Sequence, residues 1–137
     1  MENPTNHIIA SLCYVDAPAA IAWLEAAFGF SAHLVVPGDD GAIMHSQLKS
    51  ADGNSMVMVY STRAELPNQR PPMELGGCNQ SLYMIETDVD GHHARAVAAG
   101  ATILMPPTAQ EYGGRCYTCS DPEGHIWNFG SYDPWAE

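Results

Sequence analysis

The chain has 137 residues, 46% of them hydrophobic, and carries 16 acidic side chains against five Lys and Arg, for a formal net charge of −11. This suits one folded domain, residues 1–137, with a real core, and excludes a disordered chain. So few cations exclude the basic clusters that displace counterions from nucleic acid or hold a protein on an anionic membrane. No apolar run approaches a membrane span, and MENPTNH lacks a basic region followed by an apolar stretch, so a cytoplasmic protein is expected.

A strand is predicted over residues 7–14. Asp16 is a good N-cap with Pro18 in the first turn after it. Ile21, Leu24 and Phe28 then recur at helical spacing, and Gly29 ends the helix. Strands are predicted over 30–36, 42–49 and 54–61, the last two joined by the turn ADGN. Residues 62–79, with Pro67, Pro71, Pro72, Gly76 and Gly77, form the linker that follows. A strand over 80–87 leads to a second helix, opened by Asp88 and stopped by Gly100. Strands over 101–106, 114–120 and 125–132 complete the chain, with DPEG as the last turn. The second helix has only a thin apolar stripe, Val89 and Val97 among alanines, so close, shallow packing is expected.

The landmarks repeat. Asp88 follows Asp16 by 72 residues, Gly100 follows Gly29 by 71, and the turn glycines Gly53 and Gly124 are also 71 apart. Several coincidences at one offset argue for a duplicated βαβββ unit: module one over about 7–61, module two over about 80–132. The eight strands are expected in one curved mixed sheet, its concave face lining a cavity. Cys116-Tyr-Thr-Cys119 has CxxC spacing but sits on a predicted strand, where residues three apart point to opposite faces. Cys13, Cys78, Cys116 and Cys119 are therefore expected to be reduced, structural thiols.

DAPAAIAWLEAAFGF, GAIMHSQLKSADGNSMVMV and, most specifically, YGGRCYTCSDPEGHIWNFGSYDPW resemble glyoxalase-like members of the glyoxalase/bleomycin-resistance/extradiol-dioxygenase (vicinal oxygen chelate) superfamily. The resemblance implies an α+β fold of paired βαβββ modules and a common tendency to form homodimers. It spans metal-dependent isomerases, dioxygenases, fosfomycin-modifying transferases and metal-free antibiotic-binding proteins, so it does not fix the reaction. In metal-dependent relatives, His, Gln or Glu ligands sit early on the first strand and late on the last strand of each half. The matching positions here are Ile9, Ser81, Asn128, and Val57 or, with a hairpin one residue longer, Met58. None is a good ligand for zinc, iron or manganese, and no metal or other cofactor is expected. A displaced site using His7, one pleat from Ile9, is the alternative.

A shift of 71 places His45 on Cys116 and Gln47 on Thr118, positions whose counterparts face the ligand in the fosfomycin-modifying relatives. His45, Gln47, Cys116 and Thr118 are thus expected to line the cavity with Ser11, Tyr83 and Asn128, and Ile9 and Val57 to bury part of a ligand. His45 alternatively packs as a satisfied core histidine. His92 and His93 are expected to face solvent, His125 to be structural, and Trp127 and Phe129 to be core. Arg115 is expected opposite Cys116 unless a bulge turns it inward. The expectation is a metal-independent small-molecule-binding protein, with an acidic surface favouring a neutral or cationic ligand by analogy with the antibiotic-binding branch. The alternative is an enzyme, with a displaced metal or with His45 as base. The 62–79 segment and the apolar Trp135 are the expected dimer contacts.

Overall fold

The computed structural model describes residues 5–136; residues 1–4 and 137, at the two ends of the expected domain, lie outside the described residues. The elements run β1 (Ala10–Tyr14), α1 (Ala17–Phe28), β2 (Ser31–Pro37), β3 (Ile43–Lys49), β4 (Met56–Ser61), α2 (Pro72–Leu75), β5 (Ser81–Ile85), α3 (Val89–Ala98), β6 (Thr102–Ala109), β7 (Arg115–Ser120) and β8 (Ile126–Gly130). The fold is α+β and its two halves share the βαβββ order. Asp16 and Asp88 cap their helices, accepting from Ala19 N and Gly91 N. Gly29 closes α1 in the left-handed region at φ 77°.

The differences from the sequence reading have local causes. The first strand starts at Ala10, where pairing with Val57 begins, and Ile8 before it is 99% exposed. The last strand ends at Gly130. β6 continues through Pro106 and Pro107 because it is an edge strand and its pairing with β7 shifts register between Met105 and Thr108, so neither missing N–H costs a ladder bond. The linker contains one helical turn, α2. No helix among the described residues is long and apolar enough to cross a membrane.

The eight strands form two four-stranded mixed sheets, ordered β1-β4-β3-β2 and β5-β8-β7-β6, where one continuous sheet was expected. The reason lies in what the helices cover. Leu12, Tyr14, Leu48, Val57 and Val59 of the first sheet share one core with Tyr117, Cys119, Trp127 and Phe129 of the second, and α1 and α3 contribute Leu24, Phe28, Val89 and Ala96 to it. The Phe28 ring packs on Trp127 at 5.1 Å and on Phe129 at 4.7 Å, so α1 fills the core of the other module as well as its own. Burying a side chain of this kind stabilises by roughly 2–3 kcal/mol.

Polar clamps fix the halves together. Glu123 accepts from the N–H groups of Val15 and Asp16, and Asp121 accepts from Tyr14 Oη and Trp127 Nε1. Trp23 Nε1 donates to Ala99 O, and Arg95 donates to two carbonyls of the last turn of α1, that of Ala26 and that of Glu25, which also accepts from Gly29 N.

Candidate functional site

Strand alternation decides which side chains leave the core. Where one face of a sheet is buried, the intervening residues must point the other way. In the first sheet, Val57 and Val59 are buried, and Met58 pairs with Ser11 on one side and Gln47 on the other. Gln47 pairs with Leu34 and His45 with Val36 across β2. The outer face of this sheet therefore presents Ser11, His45, Gln47, Met58 and Tyr60, bordered by Leu34 and Val36. His45 Nε2 lies 2.9 Å from Gln47 Oε1. With the amide oxygen as acceptor, the neutral ring carries its proton on Nε2 and leaves Nδ1 free to accept. His45 is thus a face residue, half-buried, rather than a core histidine.

In the second sheet, Tyr83 pairs with Asn128, and Asn128 with Thr118, while their neighbours Trp127, Phe129, Tyr117 and Cys119 are buried. Tyr83, Cys116, Thr118 and Asn128 therefore share the outer face. Thr118 Oγ1 donates to Asn128 Oδ1, and Asn128 Nδ2 donates to Ser81 Oγ and Leu82 O. Tyr83 Oη donates to Tyr132 O at 2.6 Å. Its hydroxyl crosses the sheet over Gly130, where an added Cβ would come within 2.6 Å of it. Burial pushes the Cys116 thiol up, so it stays protonated near neutrality. Cys119 lies on the opposite, core side, and burial pushes it up to about 12. All four cysteines are free.

The structure brings Ser11, His45 and Gln47 together, and separately Tyr83, Cys116, Thr118 and Asn128, but not the two groups. Because the two sheets bury their helix-facing sides in one core, their outer faces turn away from each other within a chain. The single-chain cavity and the His45–Cys116 pair are therefore not formed. Val57 is corrected to Met58, since Val57 is in the core; the first hairpin is the longer of the two. His92 is not solvent-facing. It stacks on Phe129 at 4.1 Å, its Nδ1 lies 2.5 Å from Tyr117 Oη, and burial, then the positive Arg95, lowers its pKa to about 4. Arg115 lies opposite Cys116, paired with Asp90 at 2.9 Å. His125 donates from Nε2 to Cys13 O, a structural bond between the modules.

The outer-face positions that match the metal-ligand pattern are Ile9, Met58, Ser81 and Asn128. Two are apolar, one is a neutral hydroxyl, and the Asn128 amide is spent on its neighbours, so this set does not fit a divalent ion. His7 is exposed and lines a hollow of about 350 Å³ with Lys49 and Met56. Asn79, which precedes Ser81 as His7 precedes Ile9, lies in a different hollow, with Arg70 and His125. A groove of about 670 Å³ runs between the modules past Phe28, Asp52, Tyr83, Glu86, His92 and Trp135, and includes only Tyr83 of the seven expected lining residues.

A model of the Glyoxalase/Bleomycin resistance protein/Dioxygenase superfamily matches residues 5–129. The chain belongs to this superfamily. An uncharacterized Mycobacterium tuberculosis protein is 32% identical over 115 residues, covering 84% of this chain and 68% of its own. Among solved structures, TioX from Micromonospora sp. ML1 is 31% identical with a TM-score of 0.66, covering 92% of this chain and 98% of its own. The genomically encoded fosfomycin resistance protein FosX from Listeria monocytogenes has a TM-score of 0.70 at 13% identity, covering 96% and 97%, a likeness of fold alone. Superfamily membership accounts for the two modules. It does not reveal Lys49, Tyr60 and Arg63, which the sequence reading missed at the first face, where it had Met58 only as the alternative to Val57. Alternation against the apolar pair Val57 and Val59 was the available signal for Met58 and Tyr60.

Proposed function

We propose that this superfamily member binds a small molecule without a divalent ion at the family's metal positions, in a cavity completed by two copies of the chain. One observation carries the reading: Asn128, the best donor at those four positions, commits its oxygen to Thr118 and its nitrogen to Ser81 and Leu82. It serves to brace a polar face. The two polar faces point apart within a chain, and β1 and β5 are free sheet edges. In a twofold homodimer, the Ser11, His45 and Gln47 face of one protomer meets the Tyr83, Cys116, Thr118 and Asn128 face of its partner. The role is sequestration of an antibiotic or metabolite, and free cysteines suit the reducing cytoplasm.

A thermal-shift screen of metabolites and antibiotics, with and without divalent ions, on wild type and His45→Ala tests this. A ligand at about one hundred times its dissociation constant adds roughly 2.7 kcal/mol, and the variant should lose most of it. Stabilisation seen only with a divalent ion, followed by turnover, would replace binding with metal-dependent catalysis. A second reading, a metal-free enzyme with His45 as base, is favoured by the open Nδ1 that the Gln47 contact leaves. Product formation that disappears in His45→Ala would select it.

A further inference from the structure

The chain's few cations are unevenly spent. Of the five Lys and Arg, Arg95 is committed to α1 carbonyls and Arg115 to Asp90. The other three, Lys49, Arg63 and Arg70, have no carboxylate within ion-pair distance among the described residues. All three border the outer face of the first sheet. Lys49 follows His45 and Gln47 at two-residue spacing on β3. Arg63 sits just beyond β4, its guanidinium 6.0 Å from the Tyr60 ring centroid. Arg70 is near enough to act electrostatically on Cys13, which pairs with Tyr60, though the Glu123 carboxylate acts on that thiol more strongly. Between them the face carries Ser11, Cys13, His45, Gln47, Met58 and Tyr60, and no carboxylate.

In a chain with 16 acids this is the reverse of what the mean charge would produce. Arg63 is the sharpest case. Its Nη1 has only the Met44 sulfur, at 3.8 Å, and its Nε is buried with no hydrogen-bond partner. A half-buried guanidinium left this way is costly unless something else completes it. The nearby carboxylates do not: Glu123 is held by the N–H groups of Val15 and Asp16, and Glu65 is exposed.

We propose that the first sheet's outer face takes the anionic part of the ligand, an oxyanion such as a carboxylate or phosphate, with Arg63 as the direct contact and Lys49 and Arg70 supplying attraction. The guanidinium fork suits such a group, and the ring beneath holds it in place. The second face, with Tyr83, Cys116, Thr118 and Asn128, has no uncommitted charge and suits a neutral, hydrogen-bonding remainder. This deepens the proposed function, rests on it, and replaces the neutral or cationic ligand suggested by net charge.

The test is a nuclear magnetic resonance titration of the full chain at constant ionic strength with propionate, inorganic phosphate, and propionamide as the neutral match. The buried Arg63 Nε–Hε exchanges slowly and reports directly. Saturable shifts of that resonance and of the His45 and Gln47 amides by propionate or phosphate, with propionamide at least tenfold weaker, support the proposal. Arg63→Gln should weaken the anion at least tenfold and Arg63→Lys less, while a matched melting temperature shows that both variants fold. Equal binding of propionate and propionamide, unchanged anion binding in Arg63→Gln, or no saturable shift at all would overturn it. Neutral ligands that His45→Ala weakens and Arg63→Gln leaves unchanged would retain the binding function and remove the anion site alone.

Discussion

At the scale of single residues, Asp121 gathers four donors: Tyr14 Oη at 2.6 Å, Trp127 Nε1 at 3.2 Å, and the N–H groups of Glu123 and His125 at 3.1 Å each. Replacing it with Ala strands several buried donors, so Asp121→Ala should cost about 3 kcal/mol in urea unfolding. A loss below about 1 kcal/mol would mean that water replaces the carboxylate. His92 makes stability depend on pH. Burial holds its pKa near 4 against 6.5 for an ordinary imidazole, so the unfolded chain takes up the proton first. Stability should therefore fall as pH drops from about 6.5 towards 4. His92→Gln should flatten that part of the urea-midpoint profile, and an unchanged slope would refute the assignment. On the second face, Gly130→Ala should push the Tyr83 hydroxyl off the Tyr132 carbonyl and crowd the Arg115 carbonyl, weakening ligand binding and lowering the melting temperature.

At the scale of elements, Asp16→Ala should cost about 1 kcal/mol by removing the α1 cap, measured by denaturant titration. That cap was legible in the sequence, as were the strand alternation of RCYTCS and the 71-residue offset, because each depends on local geometry. The faces of Ser11, His45, Gln47, Tyr83, Cys116, Thr118 and Asn128 were legible for the same reason. Which way the two sheets turn was not. Alternation separates the faces of one strand but does not say what its core side packs against, and Phe28 reads the same beneath its own sheet or the other. His92 was misread because the thin stripe of α3 looks polar. Packing as close as Ala96 allows brings the imidazole onto Phe129. The Arg63 position was invisible because the 62–79 segment has no periodicity to place it.

At the scale of the whole molecule, each chain displays two unlike polar faces and four sheet edges, β1 and β5 among them, so it should self-associate. Light scattering should give twice the chain mass at micromolar concentration, and a monomer at high concentration would contradict this. The same architecture bears on how the chain is made. Phe28, from the first fifth of the sequence, finishes its packing on Trp127 and Phe129, near the end, and Val15 and Asp16 wait for Glu123. The duplicated halves are therefore not two independent folding units. A fragment ending at Ser61 should lack a cooperative thermal transition in circular dichroism, whereas the full chain has one. During synthesis at about 5–20 residues per second, the first module spends several seconds outside the ribosome with its aromatic side uncovered. That interval, rather than the finished protein, is where aggregation and chaperone capture should be concentrated.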